Sequence, residues 1–354
     1  MKTEIIELHP QFPDPKKIAW CANVIRKGGL VVFPTETVYG VGANLANDAA
    51  MRRLREAKKR APDKPFSILI PQIGLISNYT PATDPALYKL IDTYWPGPLT
   101  VVVPGKQDGQ TIGVRMPDHP IALRLVQDAQ CTIAAPSANF EGNPAPTTCQ
   151  EALRDMNGLV DVAIDGGAAK LGIGSSVVDL AHGSPQVLRD GVITQEDVDR
   201  VVKKKVILFV CTGNSCRSVM AEYLLKSMLA GRKDVEVTSA GTGVFLQTTA
   251  SSETVFVLKE DGIDASHHLS RAIHSILLKK SDLIIVMTRG HRQQVLERVP
   301  EVEKRIYLLR EFIDTPSGYQ IELDVPDPIG QPHYAYKECF AVVKEAMHKI
   351  VELV

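Results

Sequence analysis

Val206-Ile-Leu-Phe-Val-Cys-Thr-Gly-Asn-Ser-Cys-Arg-Ser218 is the stretch from which the architecture can be read. Val206–Val210 is a short apolar run of the kind that forms a fully buried strand. Cys211–Ser218 is small and polar and reads as a loop. Val219–Leu229 then has the spacing of an amphipathic helix. Working outward, Val235–Thr238 and Leu283–Val286 are further strand candidates, with helical stretches between and after them. This alternation predicts a doubly wound parallel sheet over residues 205–354. Upstream, the charged segment Gln195–Lys205 reads as a helix and as the junction between two domains. Residues 1–200 read as mixed α and β. Leu30–Phe33 and Leu99–Val103 are strand candidates bounded by glycine and proline, and Thr132–Ala135 is another. Asp48–Arg60 reads as a helix capped by Asp48.

Composition narrows the possibilities. The chain has 354 residues, 44% hydrophobic and 23% charged, with a formal net charge of -1. Two domains of ordinary globular composition are expected. No overall charge argues for nucleic acid or an anionic membrane. The N-terminal residues lack the apolar core of a signal peptide, and no apolar run is long enough to span a bilayer. Cys21, Cys131, Cys149, Cys211, Cys216 and Cys339 show neither a disulfide framework nor zinc-site spacing, which favours a reducing cytoplasmic setting without a bound metal.

The loop after Val210 carries the clearest chemistry. Cys211 and Arg217 are separated by five residues, enough for the loop to curl into a cradle. Its N–H groups and the start of the following helix would then face a bound anion. That setting favours both a phosphoryl dianion and a cysteine thiolate. Arg217 can hold two phosphoryl oxygens and follow the charge in the transition state. Gly213 and Asn214 suit the unusual backbone angles of such a loop. The leaving group needs an acid, and Asp327, between Pro326 and Pro328, is the candidate.

These residues, with Ser239-Ala-Gly-Thr242, Ser281–Thr288 and Asp327-Pro328 in the same order, resemble the low-molecular-weight protein phosphatase family. The resemblance implies Cys211 as nucleophile, Arg217 as phosphoryl ligand and Asp327 as acid and then base. It places the phosphoryl group against Thr212, Gly213, Asn214, Ser215, Cys216 and Ser218. Asn214, Ser218 and Ser239 would hold the loop in shape, and Cys216 could pair reversibly with Cys211 on oxidation. Ser215, and Ile329-Gly330 in place of aromatics, look more like the protein-arginine phosphatase branch than the tyrosine-specific one. An arsenate reductase of the same fold is a further reading.

In the first half, Phe33-Pro-Thr-Glu-Thr-Val-Tyr-Gly40, Lys58-Lys-Arg60, Trp95-Pro-Gly-Pro98, Val114-Arg-Met-Pro117 and Ser137-Ala-Asn139 occur in series. Together they resemble the threonylcarbamoyl-AMP synthase (YrdC/Sua5-like) family, over about Leu30 to Arg189. The resemblance implies a twisted open α/β sheet. It implies that ATP, L-threonine and bicarbonate, with Mg2+, give threonylcarbamoyl-AMP and pyrophosphate for tRNA modification. Thr35, Arg115, Ser137 and Ser176 would bind threonine; Lys58, Arg60, Asn139, Thr147 and Arg189 would bind ATP. Members of this family often have threonine where this chain has Ser176. The implied partners are the small substrates, a phosphoprotein, and tRNA or tRNA-modification enzymes, with no membrane. The other reading is an RNA-binding module fused to a phosphatase.

Overall fold

The computed structural model describes residues 2–61, 64–107, 109–314 and 322–354. The chain divides into two compact units: Met1–Ala82 with Lys89–Val201, and Thr83–Tyr88 with Val202–Val354.

The first unit is built on β1 (Glu4–Glu7), β2 (Val31–Phe33), β3 (Gly40–Asn44), β4 (Ile68–Leu69), β5 (Leu99–Pro104), β6 (Thr111–Arg115), β7 (Ile133–Ala134), β8 (Val162–Asp165), β9 (Ser176–Asp179) and β10 (Gln186–Arg189). Their order is β1-β8-β2-β3-β7-β4-β6-β5-β9-β10, an open sheet mixing parallel and antiparallel pairs. Pleating sends alternate residues of one apolar run to opposite faces. Val31 and Phe33 pack with α1 (Pro15–Arg26) and α4 (Pro120–Ala129); Leu30 and Val32 pack with α2 (Asp48–Lys58) and α5 (Cys149–Met156). The expected strands are thus present with ends shifted by a residue or two.

The start of α2 differs from the sequence reading. Asn47, not Asp48, is the cap: its side chain accepts from Ala50 N at 3.0 Å, and Asp48 lies in the first turn. The helix ends at Lys58 because Lys59 turns left-handed at φ 51°. That turn leaves Lys58 buried rather than on a solvated helix end.

In the second unit, β11 (Lys205–Cys211), β12 (Val235–Gly241), β13 (Leu283–Val286) and β14 (Ile306–Leu308) form an all-parallel sheet in the order β12-β11-β13-β14. Ile207 and Phe209 face α7 (Arg217–Met228), α8 (Ser252–Glu260) and α11 (His333–Glu352). Leu208 and Val210 face α9 (Ser275–Lys280) and α10 (Arg289–Arg298). β11 is therefore buried on both faces, as its unbroken apolar run predicted. The amphipathic expectation for α7 is overturned: Arg217–Glu222, Leu224 and Leu225 are all buried, because α7 packs against α11 and α8 as well as against the sheet. The sheet order reverses direction at β11, and the loop after β11 opens at that switch point. Among the described residues, no helix is long and apolar enough to cross a membrane.

Both tryptophans, Trp20 and Trp95, lie in the first unit, so their fluorescence reports its unfolding. Asn47→Ala should lower the stability read this way in urea by about 1 kcal/mol, the worth of a side-chain cap. Asp48→Ala should cost only about 0.3 kcal/mol, a charge near the helix dipole. Equal losses would restore Asp48 as the cap.

Candidate functional site

In the second unit the loop between β11 and α7 closes on itself. Asn214 takes the left-handed conformation at φ 51°, which turns its N–H toward Cys211 Sγ at 3.3 Å. Ser218 Oγ lies 2.9 Å from the same sulfur. A sulfur so placed faces donors rather than acceptors, an environment that suits the thiolate. The Asn214 side chain holds the turn. Its Nδ2 donates to Ser239 Oγ at 2.7 Å and to Ser218 Oγ at 3.0 Å, and its Oδ1 accepts from Arg271 N at 3.0 Å. Ser239 passes its own proton to the buried Glu222 carboxylate. Gly241 lets the β12 backbone close behind the loop: a Cβ there would sit 2.4 Å from Thr212 O.

Arg217 is 4% exposed. Its Nη1 donates to Val325 O at 3.0 Å and its Nη2 pairs with Asp327 Oδ2 at 2.5 Å. Its Nε is buried with no partner. A buried unmade donor on a guanidinium costs free energy until an acceptor arrives, so the site is poised for an anion. The Asp327 side chain is 40% exposed and its Oδ1 accepts from Ile329 N. Cys211, Arg217 and Asp327 are thus brought together, with Thr212, Gly213, Asn214, Ser215, Cys216 and Ser218 on the connecting loop. Cys216 Sγ lies 3.4 Å from Ser251 Oγ. Cys339, in the same core, has its thiol pushed up to about 12 by burial.

Residues that sequence reading passed over complete this network. His268 Nε2 meets Asn214 O at 2.9 Å. His291 Nε2 meets Thr212 Oγ1 at 2.9 Å. Lone histidines far from the loop carry no local signal of this; only the pairing of strands brings them near.

In the first unit a cleft of about 830 Å3, counting its open mouth, is lined by Thr35, Tyr39, Arg60, Arg115, Ser137, Ser175 and Arg189 among others. Three guanidiniums converge there. Arg115 is fixed by the buried Glu36 at 2.6 Å and by Gly97 O at 3.2 Å. Arg189 donates to Ser175 O at 2.7 Å and to Ser175 Oγ at 3.0 Å. Burial, and then the nearness of Arg115 and Arg60, lowers the proton affinity of Arg189. Arg60 Nε and Glu36 Oε2 are buried without partners. The cleft is therefore cationic beyond its internal pairing.

Four expected residues do not line it. Ser176 Oγ is turned inward, donating to Ile193 O at 2.8 Å and accepting from Ile193 N at 2.9 Å. Ser175, the residue just before β9, faces the cleft instead, where its Oγ meets Arg189 Nη2 at 3.0 Å and Thr100 Oγ1 at 2.8 Å. Lys58 spends its ammonium on Ser137 O at 2.6 Å and Asn139 O at 2.7 Å. Burial, then Arg60, pushes its pKa down to about 8. It is a strut behind the Ser137–Asn139 turn. Asn139 Nδ2 donates to Phe140 O and Asn143 O. Thr147 is taken up by Glu151 at the start of α5. Thr35 lines the cleft, yet its hydroxyl already donates to Val38 O at 2.6 Å.

Comparison with known proteins matches this division. The Sua5/YciO/YrdC family model, described as telomere recombination, covers residues 23–191. The low molecular weight phosphotyrosine protein phosphatase model covers residues 206–354. The threonylcarbamoyl-AMP synthase of Bacillus subtilis is 38% identical over 198 residues, 53% of this chain and 57% of that protein. The chain thus spans little more than half of that relative's length. A protein-arginine-phosphatase of Geobacillus stearothermophilus is 36% identical over 152 residues, 41% of this chain and 93% of that one. The structure of Pyrococcus abyssi Sua5 complexed with L-threonine matches with a TM-score of 0.54 at 25% identity, covering 86% of this chain and 99% of that one. A putative threonylcarbamoyl-AMP synthase of Mycobacterium tuberculosis is 33% identical over 193 residues, 52% of this chain and 88% of that one, so the chain belongs to both families: a Sua5/YciO/YrdC domain is followed by a low-molecular-weight phosphatase domain.

Proposed function

We propose that the chain is bifunctional, a threonylcarbamoyl-AMP synthase joined to a phosphocysteine-forming protein phosphatase. For the phosphatase, the observation that carries the reading is the unpartnered Arg217 Nε beside a sulfur surrounded by donors. The Cys211 thiolate attacks phosphorus, and the bond from phosphorus to the leaving group breaks. Phosphoryl oxygens take the guanidinium from Asp327, whose carboxyl, once protonated, gives its proton to the leaving atom. The same carboxylate then draws a proton from water, and that water attacks the phosphocysteine. Inorganic phosphate leaves and the thiolate returns.

Phosphoarginine is the favoured substrate. Ser215 offers a small hydroxyl at the mouth, and Ile329 is an exposed aliphatic where an aromatic clamp would stand. The 36% identical protein-arginine-phosphatase supports this preference. A cysteine-relay arsenate reductase fits less well, because a relay thiol must ionise and burial opposes that at Cys339. A thiolate enzyme of this kind suits the reducing cytoplasm.

For the synthase, the cluster of Arg60, Arg115 and Arg189 carries the reading. Threonine's carboxylate would lie against Arg115, its hydroxyl near Ser137 and Ser175, and the triphosphate against Arg60 and Arg189. Threonine's amine attacks CO2 or bicarbonate, and the carbamate oxygen attacks the α-phosphorus of ATP, expelling pyrophosphate. Positioning and charge neutralisation supply the rate. Among the described residues no group of three His, Cys, Asp or Glu could hold a metal. Magnesium would therefore enter with the triphosphate, held by phosphate oxygens and water. An RNA-binding module alone gives no reason for three arginines to converge on one cleft beside buried hydroxyl groups. The product's use in tRNA modification follows from the same reading.

Two outcomes are expected. Purified protein should release pyrophosphate from ATP only when threonine and bicarbonate are both present. Ser175→Ala should then raise the threonine KM about tenfold, the worth of one hydrogen bond to a charged or polar ligand group, while Ser176→Ala should act on stability instead. RNA binding without pyrophosphate release would sink the synthase reading. On the other side, phosphoarginine peptides should be hydrolysed faster than phosphotyrosine peptides, with Cys211→Ser inactive on both. The opposite order would leave the chemistry standing and reverse the substrate assignment.

A further inference from the structure

The first turn of α10 touches both halves of the phosphatase site. On one side His291 Nε2 reaches Thr212 Oγ1 at 2.9 Å, on the loop that carries Cys211. On the other side Arg289 N donates to Asp324 Oδ1 at 2.8 Å, and Met287 O accepts from Val325 N at 2.8 Å. Asp324 and Val325 lead directly into Asp327. The strand before this turn is itself fixed to β11, since Met287 N donates to Val210 O. One rigid segment therefore grips the nucleophile loop and the acid loop.

His291 is 5% exposed, so its hydrogen bonds fix its ring. Its backbone N–H donates to Thr288 Oγ1 at 3.2 Å, and its Nδ1 lies 2.9 Å from the same oxygen. Thr288 caps the helix as an acceptor, so the hydroxyl proton is free for Nδ1. If Nδ1 carried the proton, the half-buried Thr288 hydroxyl would accept twice and its own proton would depend on water, which reaches Thr288 less freely than Thr212. Thr212 is exposed, so its hydroxyl proton can go to water at no such cost. The Nε2–H tautomer follows, with Nε2 donating to Thr212 Oγ1. Burial, then the neighbouring Arg217, pushes the pKa down to about 4, against the opposing pull of Asp327 and Asp324. The ring is thus neutral under ordinary conditions.

We propose that His291, through Thr212, is a positioning residue that makes the α10 turn a clip, setting the spacing of Cys211 and Asp327. The proposal rests on reading those two as nucleophile and acid. Its consequence is selective. A loosened clip leaves the thiolate in place and misplaces the proton donor, so the loss grows as the leaving group becomes poorer.

The test has two arms on the full chain. Imidazole 15N shifts of the wild-type protein should show His291 protonated at Nε2 and bare at Nδ1; the reverse overturns the proposed hydrogen bond from His291 to Thr212 whether or not the protein is active. Kinetics then compare 4-nitrophenyl phosphate, which needs little acid assistance, with phenyl phosphate, which needs much. His291→Ala should lower kcat/KM about tenfold more on phenyl phosphate than on 4-nitrophenyl phosphate, a part of the 10²–10⁴ that a placed acid supplies. Thr212→Val should reproduce that selective loss, and the double variant should cost no more than either single one. Melting temperatures of the variants identify any that fail to fold, and Asp324→Asn, which weakens the grip on the acid loop, then serves as the independent variant. Equal losses on both substrates, or additive losses in the double variant, overturn the proposal. A wild type inactive on both substrates would instead count against the phosphatase reading itself.

Discussion

Lys58, Arg115 and Arg217 are kept from water, and the arrangement around each is set by what replaces the water. A buried charge without partners is among the costliest features a fold can carry. Lys58 is met by the carbonyls of Ser137 and Asn139, while the exposed Arg189 is steadied at the cleft by the carbonyl and hydroxyl of Ser175. Arg115 is met by Glu36 and Gly97 O, and Arg217 by Asp327 and Val325 O. Backbone carbonyls recur because they sit on strands and turns that cannot move away. They fix a guanidinium in orientation while cancelling little of its charge. The remaining field is available to a phosphate or carboxylate, and the guanidinium itself need not turn when that ligand arrives.

The same constraint explains the fold around each site. Carbonyls can face inward only where the chain leaves its ladder, and those places are the strand ends. In the second unit the break falls after β11, where glycine at 241 lets a neighbouring strand approach and Asn214 accepts a left-handed backbone. In the first unit the cleft gathers β5, β6, β9 and β10 with the turn at Ser137–Asn139. The apolar layers on either side are ordinary. Their role is to hold these strand ends within a fraction of an ångström, which loops alone could not do.

How much of this was legible in sequence depended on the distance over which each feature is encoded. The β11 strand, its loop and α7 lie within one continuous segment, so the strand, the loop and the convergence of Cys211 with Arg217 could be anticipated. The mixed order of the first sheet could not, because β8 sits between β1 and β2 through pairings more than a hundred residues apart. Ser175 against Ser176 was a question of strand phase, and a one-residue difference in register exchanges which hydroxyl faces the cleft. Lys58 was expected among the ATP ligands from the family resemblance, and only the folded chain shows its ammonium held by the carbonyls of Ser137 and Asn139. Glu36 was visible inside Pro34–Gly40, yet nothing local shows that its partner is Arg115. His291 and Thr288 make sense only once β13 lies beside β11.

The two carboxylate–arginine pairs show how similar contacts serve opposite ends. Glu36 and Arg115 are both nearly sealed, with side chains 6% and 9% exposed. Separating them would strand two charges in a poorly polar interior, so the pair stays closed and Arg115 offers its remaining edge to a ligand. Asp327 is 40% exposed and Arg217 only 5%. Here the carboxylate can return to water while the guanidinium cannot. An arriving phosphoryl group can therefore take the place of Asp327 on Arg217 at modest cost, exchanging one anion for another. On the mechanism proposed above, that exchange frees the carboxyl group to protonate the leaving atom. Binding and the readiness of the acid are then one event, decided by which member of the pair the fold leaves open to solvent.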